Sequence, residues 1–282
     1  MKKLSLKSNS GQALLVILLI MAVVLTIGLA TISRSITDIK ISEQTEDSAR
    51  AFSAAEAGIE NYLATGGTST GDLGTGVSVQ AFPGSLLSPD SLTFLYPIQI
   101  NQNEVATIWL STYEKTTGVY TTQTYSNPIT VAWGNPGADT PALEVTFYYN
   151  NSGIKVAKFM FDPDVDRSNN FCKTDYSYCP GEITNFSTSG VTYGDQELHF
   201  SAGIRTTGLP NMYFARLRLL YAGSTAHFIG FGATSALPKQ GDKIAAVGTS
   251  NQATRKVEVY RLNPAPPDIF DFALYSGESL IK

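Results

Sequence analysis

The sequence predicts an α+β chain: a long N-terminal transmembrane α-helix, a Gly/Thr/Ser linker, and a β-rich, sandwich-like C-terminal domain. Three observations predict it. From Ala13 to Ile32 twenty residues run without a charge, most of them Leu, Ile, Val or Ala. No proline occurs before Pro83, so nothing stops a helix that begins in that run. From about Ser91, short segments rich in β-branched and aromatic residues recur between turn residues.

The helix comes first. At about 1.5 Å per residue, the charge-free run spans a bilayer core of about 30 Å. It is longer than the apolar centre of a secretory signal and flows without a break into "TISRSITDIKISEQTEDSARAFSAAEAGIENYLA". Gly28 and Gly58 are the only glycines between Gln12 and Leu63. Arg34–Asp38 and Glu46–Arg50 stand four apart, as ion pairs on a helix surface do. Ile32, Ile36 and Ile39 prolong an apolar face, and Phe52, Ala55, Ile59 and Leu63 renew it after a polar interval. The expected division is a basic leader over 1–11 and a helix over 12–64, with 13–32 in the membrane. Lys2, Lys3 and Lys7 precede the run without an acidic neighbour, which holds the leader in the cytoplasm and sends the chain beyond the membrane span out of the cell.

The motifs at either end of this helix carry a resemblance. The leader ends in Gly11 and the apolar segment begins at once, an arrangement similar to that of type IV pilins. "AFSAAEAGIE" (Ala51–Glu60) and "ALLVILLIMAVVLTIGLATI" resemble the N-terminal domain of PilX-type minor pilins. The likeness covers about residues 8–62. It implies cleavage by prepilin peptidase between Gly11 and Gln12 on the cytoplasmic side, with methylation of the new amine. It also implies a filament in which Leu14, Leu15, Val16, Leu18 and Leu19 pass from lipid to other pilin subunits through a pilus assembly platform. Polymerising pilins usually carry a glutamate at the fifth mature position; here that position is Val16. An unpaired amine or carboxylate is costly in a dry filament core, so this departure points to a minor, initiating or tip-proximal subunit. A secretion pseudopilin and a non-assembling, N-terminally anchored adhesin share the same anchor.

Past the helix, "ATGGTSTGDLGTG" has almost nothing to bury, and 65–90 reads as a linker. The extracellular β-rich domain is expected over 91–282. "ALEVTFYYNNSGIKVAKFMF" reads as a hairpin joined across Asn150–Gly153, and "ARLRLL" sets Arg216 and Arg218 on one strand face with Leu217 and Leu219 on the other. Close to ten strands are expected. The end of the chain, with Pro264, Pro266, Pro267 and then Phe270, Phe272 and Tyr275, is expected to pack back on the domain.

Composition narrows the chemistry. A net charge of −4 with 16% charged residues gives no basic face for nucleic acid. Cys172 and Cys179 are the only cysteines, and in an exported chain the pair reads as one disulfide, the alternative being two thiols. In "FDPDVDRSNNFC", Asp162, Asp164, Asp166 and Asn170 could converge oxygens on a calcium ion. Arg167 stands where the loop would want glycine, however, and Lys173 where it would want a bidentate acid. A solvated acidic turn is the competing reading. His199 and His227 sit in strand-like segments and are expected to face solvent. No nucleophile elbow, phosphate loop or zinc-protease motif occurs, so no catalytic residue is named and no cofactor is called for.

Overall fold

The computed structural model describes residues 10–68, 70–74, 76–87, 90–114, 117, 119–125, 128–137, 139–268 and 271; the side chains of 10–13, 73, 74 and 113 are not included. The basic leader with Lys2, Lys3 and Lys7 therefore lies outside the described residues, as do Phe270, Phe272 and Tyr275. One long, largely apolar N-terminal helix is followed by a β-rich remainder, so the class is α+β. The helix, α1, runs Ser10–Thr65, about 84 Å at 1.5 Å per residue. Gly66 ends it with φ +71°, and its N–H bonds the Tyr62 carbonyl at 2.7 Å, a left-handed glycine stop.

Eighteen strands follow among the described residues. They are β1 (Thr70–Gly74), β2 (Val77–Ser85), β3 (Thr93–Leu95), β4 (Val105–Trp109), β5 (Thr112–Glu114) and β6 (Val119–Thr121). Next come β7 (Ile129–Trp133), β8 (Ala142–Asn150), β9 (Ile154–Asp162), β10 (Cys172–Lys173), β11 (Ile183–Ser187) and β12 (Val191–Tyr193). The last are β13 (Gln196–Leu198), β14 (Phe200–Ile204), β15 (Met212–Leu220), β16 (Ile229–Gly232), β17 (Gly241–Ser250) and β18 (Ala253–Leu262).

The chain divides into two compact units, 1–83 with 244–259, and 84–243 with 260–282. This differs from the division expected from composition. The span 65–90 is not a bare linker, because β1 and β2 lie within it and pair antiparallel from Thr70↔Gln80 to Gly74↔Val77. Its glycines and threonines hid a strand whose only core contributions are Val79 and Ala81. The stretch 244–259, expected in the β-rich domain, groups instead with the helix.

In the first unit the sheet order is β1-β2-β17-β18. Its core is Ala55, Ile59 and Tyr62 of α1 against Ala81, Ile244 and Ala246, with Val257 and Val259 alongside.

The second unit holds two five-stranded sheets, β10-β9-β8-β15-β4 and β11-β14-β7-β16-β3. Both feed one hydrophobic core. Phe161 of β9 lies 5.9 Å from the Trp133 ring of β7, and Phe186 and Phe200 complete the aromatic group. The indole N–H of Trp133 donates to the Pro141 carbonyl at 2.8 Å, so the largest core side chain leaves no polar atom unpaired. The expected hairpin is present: β8 and β9 pair from Leu143↔Phe161 to Asn150↔Ile154, with Ser152 and Gly153 at positive φ in the turn. The alternation in β15 holds, and Arg216 on its polar face is buried. Arg216 and Arg218 both grip the Asp271 carboxylate, Arg216 also takes the Pro266 carbonyl, and Tyr148 donates its hydroxyl to the same acid. The C-terminal segment thus packs back through Asp271.

Candidate functional site: the apolar helix and its docking sheet

The residues singled out for membrane and filament contact are bare. Leu14, Leu15, Val16, Leu18 and Leu19 are each more than half exposed, and the exposure continues through Ile32, Ile36, Ile39 and Ile41. Among the described residues this is the one helix long and apolar enough to cross a membrane, and none of its apolar window is covered by the protein. Such a surface is stable only in a dry environment, lipid or other helices. Gly11 and Gln12 lie in the first helical turns, continuous with the apolar segment.

Further along, the helix changes its chemistry. Ala51, Ala54, Ala55, Ile59 and Tyr62 are buried on the sheet of the first unit. Small residues here let the backbone of the helix approach the strands closely. A side-chain carbon at Gly248 of β17 would overlap the Ala51 carbonyl and stand 2.7 Å from the Ala55 nitrogen. One at Gly58 would stand 2.5 Å from Val79 Cγ2. A polar clasp sits one turn before the contact. Asp47 accepts from the Ser250 hydroxyl at 3.2 Å and the Asn251 amide at 2.8 Å, and Ser48 accepts from Arg255 Nε at 2.8 Å. Ala51, Ala54 and Ala55 of "AFSAAEAGIE" are therefore a docking surface for the chain's own sheet.

Of the four expected packing residues, Ala55 and Ile59 are docked. Phe52 and Leu63 are not: they are 47% and 45% exposed. The reason is angular. Phe52 comes just after Ala51 and Leu63 just after Tyr62, which turns each about 100° from the docked stripe. The sequence reading missed Ala51, Gly58, Tyr62 and Gly248. A small-residue ladder at 51, 54, 55 and 58 was the available signal.

The cysteines form the disulfide Cys172–Cys179. The calcium expectation is corrected by what surrounds Asp162. That carboxylate is fully buried and takes Arg167 Nη1 at 2.8 Å, Asn169 Nδ2 at 2.7 Å and Lys173 Nζ at 3.1 Å. The Lys173 ammonium also donates to the Asp164 carbonyl at 2.8 Å and the Arg167 carbonyl at 3.1 Å, so all three of its protons are placed. A tethered ammonium fills the position a metal ion would take. Asp166 and Asn170 are exposed, and no metal-binding group of three acids, histidines or cysteines occurs among the described residues. The two departures from a calcium loop, Arg167 and Lys173, are the two cations that neutralise Asp162.

His227 also departs from expectation. It is fully buried, accepts the Asn135 N–H on Nδ1 at 3.1 Å, and burial lowers its pKa against a smaller opposing pull from Asp139. His199 is half-buried, edge-on to Phe200.

No family model, no curated protein and no solved structure matches the chain.

Proposed function

We propose that the chain is a PilX-like minor pilin, a structural and assembly subunit of a type IV pilus in an initiating or tip-proximal position. The observation that carries this reading is the helix α1, whose surface is apolar and uncovered from Leu14 to Ile32 and keeps exposed isoleucines to Ile41, while its last four turns are docked on the protein's own sheet. Its N-terminus stays cytoplasmic while residues 13–32 sit in the membrane. Prepilin peptidase cuts between Gly11 and Gln12, and the assembly platform lifts the helix out of lipid. The same side chains then face other pilin helices, so no new hydrophobic face has to form, because lipid and helix bundle are both dry. Val16 supplies no carboxylate to a neighbour's amine, which suits a place where none needs one. The two five-stranded sheets form a sandwich-like head displayed outside the cell, its short disulfide suited to that compartment.

Mass spectrometry of the mature N-terminus tests the proposal. The expected species begins at Gln12, and Gly11→Ala should retain the leader. Met1 still present on protein recovered from filaments would reject it in favour of a permanently anchored surface protein.

A further inference from the structure

Eight described residues other than glycine have positive φ. Five are Asp90, Asn103, Ser152, Asn211 and Asn251, small polar types whose side chains tolerate or stabilise that backbone. The other three are Tyr176, Tyr178 and Tyr221, with φ of 64°, 57° and 56°. A bulky residue in the left-handed region costs roughly 1–2 kcal/mol relative to glycine. Burial of the ring would offset that cost, but all three tyrosines are exposed, from 48% to 66%. Tyr176 accepts the Phe186 N–H at 3.2 Å and Tyr221 carries the Arg167 guanidinium 4.9 Å from its ring centre. The side chain of Tyr178 makes no hydrogen bond or ring contact among the described residues.

Tyr176 and Tyr178 lie on one knot of chain, and Tyr221 packs beside it. Lys173 Nζ ties the turn at 164–167 to β10, its N–H takes the Ser177 carbonyl at 3.0 Å, and the Cys172–Cys179 disulfide closes the loop that bears Tyr176 and Tyr178. Arg167 and Phe171 connect this knot to Tyr221. A disulfide and a buried ammonium thus hold rigid a loop whose rings face water. Rigid tyrosines are low-entropy contact surface for a partner. The exposed charges on this knot are acidic: Asp166 and Asp175 face water, while Arg167 is committed to Asp162, Asp164 and Thr140. The Ser177 hydroxyl and N–H hold the Asp175 carboxyl below its usual range, so it stays charged at neutral pH.

We infer that this tyrosine-bearing loop end is a recognition surface for a basic protein segment, whose lysine or arginine groups meet the open faces of Tyr176 and Tyr178 and the exposed Asp166 and Asp175 carboxylates. The inference does not rest on the filament reading, since it concerns the head alone. The test uses the full chain in neutral detergent micelles and fluorescence anisotropy of labelled peptides alternating glycine with lysine, glutamate or glutamine. The lysine peptide should bind in preference to the other two at low salt. Tyr178→Asn, which suits the left-handed backbone and should melt no lower than the wild type, should weaken that binding roughly tenfold. Asp175→Asn should weaken it as well, and Ile154→Ser, at the opposite end of β9, should not. Equal binding of the three peptides overturns the basic partner. Unchanged binding by Tyr178→Asn overturns the surface itself, reducing it to the acidity of the whole chain.

Discussion

Replacing Gly248 by Ala tests the docking of the helix at its tightest point. The added carbon would meet the Ala51 carbonyl and the Ala55 nitrogen, which are helix backbone and cannot rotate aside. To restore ordinary contact, α1 must withdraw from β17 by about 1 Å, a gap that forfeits a quarter to a half of the dispersion energy of the facing atoms. The facing side chains are Ala51, Ala54, Ala55, Ile59 and Tyr62. At about 0.8 kcal/mol per buried methyl and about 2 kcal/mol for each larger side chain, their burial contributes roughly 6–7 kcal/mol. Gly248→Ala should therefore cost about 2–3 kcal/mol. Gly58→Ala is the control. Its new carbon crowds only Val79 Cγ2, a side-chain end, and meets Ala246 and Ala81 at ordinary distances of 3.5 and 3.6 Å. Alanine also gains about 1 kcal/mol of helix propensity over glycine. That variant should stay within about 1 kcal/mol of the wild type. Amide hydrogen exchange over 51–62, on the full chain in detergent micelles, reports the local opening free energy directly. Unchanged protection in Gly248→Ala would refute the close approach and the role given to the alanine ladder.

The second unit supplies three further outcomes. Lys173→Met should destabilise the unit by about 3 kcal/mol in a denaturant melt, since it takes from a fully buried carboxylate one of its two cations, while a calcium chelator should leave the wild-type midpoint where it is. His227 is held neutral by burial, so the unfolded chain binds its proton first; stability should be intact above pH about 6.5 and fall as the pH drops below it, and His227→Gln should flatten that slope. The double variant Cys172→Ser, Cys179→Ser should lose about 2–3 kcal/mol, the value expected for so short a closed loop, and reduction of the wild type should match it.

Periodicity and composition encode local features, and those were the legible ones. A charge-free run of membrane length, an uninterrupted helix and alternating β segments are each written within a few neighbouring residues, and the structure shows each. The Asn150–Gly153 hairpin and the disulfide were likewise local. Long-range pairings were not legible. Residues 244–259 join the helix because Gly248 and Ala246 offer it a flat, small-residue surface, a match written in two segments about two hundred positions apart. The alternation placed Arg216 on the face opposite Leu217 but could not name its partner, because Asp271 lies 55 positions away. Asp162, Asp164 and Asp166 looked like ion ligands because spacing shows where oxygens fall but not which cation answers them. The answer was present in Arg167 and Lys173, visible only as flaws in the pattern.

The placement of "AFSAAEAGIE" also changes which surface remains for neighbours. Ala51, Ala54, Ala55 and Ile59 are covered by the chain's own sheet, so they cannot also contact another subunit. The uncovered apolar side chains are those from Leu14 to Ile41, and beyond them Phe52 and Leu63 on the flank of the docked stripe. The two classes should separate cleanly by mutation. Ile59→Ala removes buried methyls and should cost about 2–4 kcal/mol in the isolated protein. Phe52→Ser and Leu63→Ser expose nothing new and should each fall within about 0.5 kcal/mol of the wild type. If the proposed assembly is right, the same two serine variants should enter filaments poorly despite normal folding and normal membrane levels, as quantified on sheared fibres by immunoblot. Loss of fold in Phe52→Ser, or full incorporation of the double serine variant, would remove these two side chains from the subunit interface and confine it to the membrane-length segment.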